Sequence, residues 1–230
     1  MKNSAMDKIK KLIKNFKRGP LGIDWIDDRV EEMRNPQGSV ADYYRFFYYL
    51  SKMLKPPIIV ELGTWQGTSA AHFAAGHRYT RVITVDHHTD PGDKENKKRT
   101  IEAVAEYPNI TYCQGWTCDE IYQEEHNKRE EIGENAFPKV IDELNGEKID
   151  LLFIDSWHVY HQAMRDWQAY KPYLKEGALV IVDDVLNGTP GSAIDGVRKF
   201  WNRLQGVKHL EGSLHPGYPM GFLIYNSSLS

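Results

Sequence analysis

The sequence predicts an α/β fold, in which a doubly wound, mostly parallel seven-stranded sheet carries helices on both faces and ends in a C-terminal antiparallel hairpin. Short β-branched runs alternate with helical stretches along most of the chain, as in parallel sheets covered by helices on both faces. At residues 58–70 an apolar strand runs into a glycine-containing turn and then a helix. In the closing stretch 206–225, two extended runs flank a Gly/Pro-rich turn and predict the hairpin.

Residues 1–55 are predicted to form a helical extension, and residues 56–230 the sheet domain. Residues 39–54 are rich in aromatic side chains and predict a helix that ends before Pro56 and Pro57. A short amphipathic helix is expected nearer the start, because basic and apolar residues interleave there. Its basic residues are Lys8, Lys10, Lys11, Lys14, Lys17 and Arg18, and its apolar residues are Ile9, Leu12, Ile13 and Phe16. Such a helix either lies at the periphery with a solvated face or docks on a membrane surface or partner.

Five β-branched runs predict the parallel strands, at residues 58–62, 81–86, 110–115, 149–155 and 178–184. Between the last two, a helix is predicted because apolar residues recur at three- and four-residue steps: Ala163, Trp167, Tyr170 and Leu174. Ser192 is a predicted N-cap for the next helix, whose inward residues are Ile194, Val197, Trp201 and Leu204. The charged stretch 123–138 predicts no element.

Composition narrows the classes of function. The chain has 230 residues and a net charge of -3, so it lacks the overall basic charge that is typical of nucleic-acid-binding proteins, and small molecules are the expected partners. The longest apolar runs, 151–154 and 178–182, are far shorter than the ~20 residues of a membrane-spanning helix, so no such helix is expected. With no secretory signal pattern at the start, a cytoplasmic location is predicted. Cys113 and Cys118 are interpreted as reduced structural thiols.

The glycine turn is the sharpest local motif, with the sequence VELGTWQGTSA at residues 60–70. Gly63 allows a sharp turn and close approach of a ligand, while Gly67 and Ser69 open a helix whose free amides can face a polar group. A dinucleotide-binding loop would favour G-x-G-x-x-G, and Glu61 before the turn suits a ligand with an ammonium group better than a pyrophosphate. The motif therefore predicts a nucleotide-type cofactor that is not a dinucleotide.

Asp86 ends the second predicted strand, about 20 residues beyond the glycine turn. A carboxylate at this place can accept hydrogen bonds from both hydroxyls of a ribose, which favours an adenosine ligand. The alternative is that Asp86 only caps a turn.

The segments VELGTWQGTSA, ITVD and IDSWHVY with LKEGALVIVDDV resemble class I S-adenosylmethionine (SAM)-dependent methyltransferases, which have a Rossmann-like fold, over roughly residues 56–225. The segment with Asp155, His158 and Tyr160, followed by EGALVIVDD, resembles small-molecule O-methyltransferases of the catechol O-methyltransferase type and their antibiotic- and sugar-modifying relatives. Trp65 stands where the family more often has a glycine. The resemblance implies that the methionine portion of SAM contacts Glu61, Gly63 and Gly67, the ribose Asp86, and the adenine Trp116 and Thr117. The full set of cofactor contacts expected from it is Glu61, Gly63, Thr64, Gly67, Thr68, Ser69, Asp86, His87, Trp116, Thr117 and Asp155.

Three acids end the fourth and fifth predicted strands: Asp155, Asp183 and Asp184. Adjacent parallel strands lie about 4.8 Å apart, so these carboxylates can converge, and they repel one another unless a cation lies among them. Oxygen ligands suit Mg²⁺, Mn²⁺ or Ca²⁺. The alternative is that the acids cap helices or bind the cofactor.

His158 is the predicted general base, with Asp155 beside it, because an imidazole titrates near neutral pH. His87, His88 and His161 compete for this role. The expected reaction is in-line attack of a substrate hydroxyl on the cofactor's methyl group, after the hydroxyl loses its proton to His158 or to water on the metal. A nicotinamide-dependent oxidoreductase, a non-catalytic cofactor-binding protein and a nucleic-acid methyltransferase are the alternatives.

The acceptor pocket is expected from residues 20–50, 87–100 and 186–192. Aromatic residues around it indicate a flat or apolar acceptor, unless they form core or the interface of a homo-oligomer: Trp25, Tyr43, Tyr44, Phe47 and Trp157.

Overall fold

A computed structural model describes residues 2–33, 41–88, 93–118, 135–185, 195–214 and 218–229. The helices are α1 Lys2–Asn15, α2 Asp24–Glu32, α3 Tyr44–Leu54, α4 Thr68–Gly76, α5 Asp93–Glu106, α6 Phe137–Leu144, α7 Tyr160–Tyr170 and α8 Asp195–Arg203. The strands are β1 Ile58–Leu62, β2 Arg81–Asp86, β3 Ile110–Gln114, β4 Ile149–Ile154, β5 Leu174–Val182, β6 Val207–Glu211 and β7 Met220–Ile224. Short 3₁₀ turns cover Ala41–Tyr43, Lys171–Tyr173 and Ser227–Leu229.

The seven strands form one mixed sheet in the order β3-β2-β1-β4-β5-β7-β6. Strands β1 to β5 pair in parallel, and β7 pairs antiparallel with both β5 and β6. The predicted doubly wound sheet with a C-terminal antiparallel pair is therefore confirmed. Chain order reverses between β1 and β4, and crevices at such a switch point, outside the carboxyl ends of the strands, are where α/β sheets bind ligands.

Backbone hydrogen bonds extend the parallel ladder past the carboxyl ends of the strands. The Gly63 N–H donates to the carbonyl of Val85 at 2.9 Å, and the Asp155 N–H donates to that of Leu62 at 2.8 Å. The Asp183 N–H likewise donates to the carbonyl of Ile154 at 3.0 Å. Because these bonds fix the first residue after each strand, the acids that follow β4 and β5 lie at the same edge as the glycine turn.

Apolar residues bury both faces of the sheet. Along β1, Ile58, Val60 and Leu62 belong to a cluster with α6, α7 and α8, whereas Ile59 belongs to a cluster with α1, α3 and α4. This split follows from the period of two along a strand. Since apolar burial contributes roughly 25 cal/mol per Å² removed from water, the two layers hold the strand ends in place.

Some predicted boundaries differ from the observed ones. The third and fourth strands end one residue earlier than predicted, and β5 covers Leu174–Val182 rather than residues 178–184. Leu174 was assigned to the preceding helix, which was wrong: α7 ends at Tyr170 because the Lys171–Tyr173 turn contains Pro172, which interrupts an α-helix. The predicted N-cap Ser192, Ile194 and most of the stretch 123–138 lie outside the described residues, while Val197, Trp201 and Leu204 are buried as expected.

The N-terminal helices pack against the same core. Met6 and Ile9 of α1 are buried in the cluster that also contains α3 and the β6–β7 hairpin, so the apolar face of the basic helix is covered by the chain itself. Arg45 is buried at the start of α3 and pairs with Asp27 and Asp42. Burial raises the pKa of Asp27, but hydrogen bonds from the Leu21 N–H and from Arg45 outweigh it and bring the pKa below its usual value. Across the described ranges, no helix combines the length and apolarity that crossing a bilayer requires.

Candidate active site

The glycine turn brings β1 against the end of β4. Gly63 has a φ of 97°, and a Cβ on it would lie 2.0 Å from the backbone oxygen of Asp155. Gly67 caps α4 with a φ of 74°. A side chain at Gly63 would force the turn away from Asp155, so the close approach of the two strand ends depends on this glycine.

Trp65 adopts the left-handed conformation that a glycine would take, with a φ of 48°. Its N–H donates to Asp86 Oδ2 at 2.8 Å, and the Thr64 N–H donates to the same oxygen at 3.0 Å. Its carbonyl accepts from His88 Nε2 at 2.6 Å and from the Thr100 hydroxyl at 3.0 Å. These bonds stabilise a conformation that is rare for a bulky residue.

The two carboxylate oxygens of Asp86 therefore differ in their hydrogen-bond partners. Oδ2 holds the turn, whereas Oδ1 accepts one long hydrogen bond, from the His88 N–H at 3.3 Å. The side chain lines two adjoining cavities, so Oδ1 retains capacity to accept hydrogen bonds from a ligand.

Glu61 is completely buried on β1, on the same side of the strand as Ile59. Burial raises its pKa to about 7, although hydrogen bonds from Ser69 and Thr84 oppose the shift. The Thr84 hydroxyl donates to Oε2 at 2.5 Å, while Oε1 has no hydrogen-bond partner among the described residues. A nearby cation strongly stabilises the ionised form of a buried carboxylate that has an oxygen without a hydrogen-bond partner.

The first cavity, which we call cavity A, has a volume of about 320 Å³. One wall is an aromatic pair in which the rings of His87 and Trp116 stack at 4.4 Å. Its lining is Gly63, Val85, Asp86, His87, Gly115, Trp116, Thr117, Asp155, Ser156, Trp157 and Gln162. Stacked rings beside a hydrogen-bonding carboxylate suit a flat heterocycle attached to a sugar.

The second cavity, cavity B, has a volume of about 310 Å³. It shares Gly63, Asp86 and Asp155 with cavity A, so the two adjoin at the switch point. Its lining is Tyr43, Tyr44, Gly63, Thr64, Trp65, Thr68, Ser69, Asp86, Asp155, His158, Asp183, Asp184 and Tyr218. The rings of Tyr43 and Tyr44 stack at 4.2 Å, which gives cavity B an aromatic wall.

Asp155, Asp183 and Asp184 converge in cavity B. Burial raises the pKa of all three, and for Asp155 and Asp183 the neighbouring carboxylates raise it further. Asp183 Oδ1 is buried and, within the described ranges, accepts no hydrogen bond. Asp155, His158 and Asp183 each offer a ligand atom within 4.8 Å of the others, so the geometric cluster contains His158 where the sequence predicted Asp184.

His158 lies between two of these acids. Its Nε2 is 3.1 Å from Asp155 Oδ1, and its Nδ1 is 3.5 Å from Asp184 Oδ2. The competing histidines are placed differently: His88 is buried with both ring nitrogens bonded, His87 stacks in cavity A, and His161 is exposed on α7. Of these four histidines, His158 is the one that lines cavity B.

The sequence located most of the lining and missed part of it. Among the predicted cofactor, metal and catalytic residues, Glu61 and Gly67 line neither cavity, and the others line one cavity or both. Two aromatic residues expected at the acceptor pocket, Trp25 and Phe47, were wrongly placed there, because they pack in hydrophobic clusters of the core. The expected acceptor segment 186–192 lies outside the described residues. Ser156, Gln162 and Tyr218 were missed. Gln162 had a usable signal, since it interrupts the apolar face of α7 one turn before Asp166, a second buried polar residue. Tyr218 lies in the hairpin connection, where sequence periodicity gives no information.

Comparisons with known proteins agree with this architecture. Protein R132 of Acanthamoeba polyphaga mimivirus is 31% identical over 127 residues, 54% of this chain and 50% of that protein, so the chain spans about half the length of this relative. The O-methyltransferase TomG from Streptomyces achromogenes, solved with SAM, has a TM-score of 0.58 at 15% identity, covering 90% of this chain and 91% of TomG. The O-methyltransferase from Bacillus cereus, solved with S-adenosylhomocysteine (SAH), has a TM-score of 0.57 at 13% identity, covering 98% and 100%. At such identities the two structures show a shared fold.

A family model described as a methyltransferase domain matches residues 60–185, from the glycine turn to the acids that follow β5. The match covers more than half of the chain. The chain therefore belongs to the methyltransferase domain family.

Proposed function

We propose that this chain transfers the methyl group of SAM to a hydroxyl group of a small molecule. The observation that supports the proposal most is that cavities A and B adjoin at three shared residues, Gly63, Asp86 and Asp155. Cavity A offers an aromatic wall and a ribose acceptor, whereas cavity B offers acids, a histidine and tyrosines. A cofactor in the first and an acceptor in the second would share this junction.

The charges around the junction fit SAM, which carries an ammonium and a sulfonium group. Glu61, Asp86 and Asp155 are acidic, and none of the described residues that line either cavity is Lys or Arg. The unpartnered Oε1 of Glu61 lies next to the turn at which the methionine portion is expected. A pyrophosphate would be repelled by the same acids, which disfavours a nicotinamide dinucleotide.

SAM, when bound, supplies an electrophilic methyl group, and the remaining work falls to the residues of cavity B. His158 can take the proton of the acceptor hydroxyl on a ring nitrogen. Asp155 and Asp184, on either side of the ring, stabilise the imidazolium that results. The aromatic wall of Tyr43 and Tyr44 holds a flat or apolar acceptor against these groups.

A divalent cation, Mg²⁺ or else Mn²⁺ or Ca²⁺, is a second part of the proposal. Asp155 and Asp183 would hold it, together with Asp184 or His158. The unpartnered Asp183 Oδ1 and the raised pKa values of the three acids support this site, because clustered carboxylates are stabilised by a hard cation. The chemistry that such an ion would supply there is Lewis-acid stabilisation of an acceptor hydroxyl that loses its proton.

The test is methyl transfer from labelled SAM to a panel of hydroxyl-bearing metabolites, with RNA and DNA as separate acceptors and with each reaction run with and without a chelator. We expect label on at least one small molecule and none on nucleic acid. The control is Asp150→Asn, because Asp150 lies at the amino end of β4, where it pairs with Lys175 away from both cavities. Label confined to nucleic acid, or turnover by wild type no higher than that of a Gly63→Val variant, would contradict the proposal.

The cellular location and the oligomeric state are a third part of the proposal. A cytoplasmic location and assembly into a homo-oligomer are predictions from the sequence. Fractionation of the cells that produce the protein and light scattering on the purified chain test them.

A further inference from the structure

A buried carboxylate behind cavity A joins three segments of the chain. Asp166, on α7, is completely buried and accepts hydrogen bonds from residues that follow β3 and β4 and from its own helix. The Thr117 hydroxyl donates to Oδ1 at 2.6 Å, and Gln162 Nε2 donates to the same oxygen at 2.8 Å. The Ser156 hydroxyl donates to Oδ2. These three donors line cavity A, whereas Asp166 and its fourth hydrogen-bonding neighbour, Cys118, do not.

These bonds fix where the hydrogens of the cavity wall point. Burial raises the pKa of Asp166, whereas hydrogen bonds from Ser156, Thr117, Gln162 and Cys118 lower it and so favour the ionised form. An ionised carboxylate only accepts, so the hydroxyl hydrogens of Thr117 and Ser156 must be directed at Asp166, away from the cavity. The same reasoning orients the amide of Gln162, whose Nε2 also donates to the Thr117 hydroxyl oxygen at 2.9 Å. What remains for a ligand is acceptor capacity: the lone pairs of the Ser156 hydroxyl and Oε1 of Gln162.

The geometry points to Asp166 as a positioning residue that makes this wall of cavity A an acceptor surface, so that the chain selects a purine with an amino group at C6 and rejects one with a carbonyl there. An adenine amino group donates hydrogen bonds to such a wall. The 6-oxo group of hypoxanthine would face acceptors and leave them unpaired. This inference rests on the proposed function, since it takes the ligand of cavity A to be the adenosyl part of SAM.

The experiment compares the binding of SAH with that of S-inosylhomocysteine by calorimetry, in the wild type and in Asp166→Asn. In the wild type we expect SAH to bind at least about tenfold more tightly, because unpaired buried polar groups weaken binding by such factors. The amide of Asp166→Asn accepts on one side only, so a wall residue must rotate and turn a donor toward the cavity. The ratio of the two affinities is then expected to fall to within about threefold.

The ratio of the SAH affinity to the S-inosylhomocysteine affinity distinguishes a positioning role of Asp166 from a role in stabilising the fold. A loosened structure lowers both affinities together, whereas reversed wall polarity changes one relative to the other. Asp150→Asn is the matched control and should keep the wild-type ratio. If Asp166→Asn does not fold, Ser156→Ala carries the test, because it removes one acceptor from the wall and should lower the ratio.

Two results would overturn the inference while leaving the proposed function intact. One is wild-type protein that binds SAH and the inosine analogue equally. The other is a folded Asp166→Asn, or in its place Ser156→Ala, that keeps the full preference for SAH. Wild-type protein that binds neither ligand would instead overturn the proposed function together with the inference.

Discussion

Replacing Glu61 with Gln should remove a pH-dependent loss of stability. Burial raises the pKa of Glu61 from 4.5 to about 7 in the folded chain. Between these values the folded state keeps a proton that the unfolded chain has released, so stability falls as pH rises through this window and the whole loss is present above pH 7. At 1.36 kcal/mol per pKa unit, the loss between pH 5 and pH 8 is roughly 2 to 3 kcal/mol.

Urea unfolding at pH 5 and pH 8 measures this loss directly. Between the two pH values, the free energy of unfolding of Glu61→Gln should change by roughly 2 to 3 kcal/mol less than that of the wild type. Glu147→Gln is the control, because Glu147 is exposed and should leave the wild-type pH dependence intact. If Glu61→Gln and the wild type lose stability in parallel, the assignment of the raised pKa to this buried carboxylate is wrong.

Three further substitutions test the roles of single side chains. Asp86→Asn keeps an oxygen for the Thr64 and Trp65 amides but loses the second acceptor, so calorimetry should show SAH affinity reduced by about tenfold, and an unchanged affinity would contradict ribose binding. His158→Gln cannot take up a proton, so kcat should fall by about 10² to 10⁴ while SAH affinity holds, and a preserved kcat would reassign the base. Asp183→Asn should abolish the stimulation of turnover by added Mg²⁺, measured after chelation, and full stimulation in the variant would remove the metal from the account.

The fold was predictable because its signals are periodic and local. Strands β1 and β4 are apolar at every position but one, Glu61 in β1 and Asp150 in β4, which is typical of strands buried on both faces. The glycine turn predicted that β1 is followed by a helix, because a strand that ends in such a turn leads into a helix. The error at Leu174 arose because its spacing continues the helical period and the period alone does not register Pro172.

The site was predictable where an acidic side chain lies at or directly after the carboxyl end of a strand, as Asp86, Asp155 and Asp183 do. It was not predictable where side chains meet through tertiary packing. Tyr218 reaches cavity B from the hairpin connection, and Asp166 acts from behind the wall of cavity A through its neighbours. The conformation of Trp65 depends in the same way on bonds from residues distant in the sequence.

The proposed function requires that the switch point of the sheet binds SAM. Calorimetric titration of the purified chain with SAH, and separately with NAD, tests it most directly. We expect saturable binding of SAH at one site per chain, lost in Gly63→Val, and no binding of NAD. Binding of NAD in place of SAH, or SAH binding that Gly63→Val leaves unchanged, would contradict it.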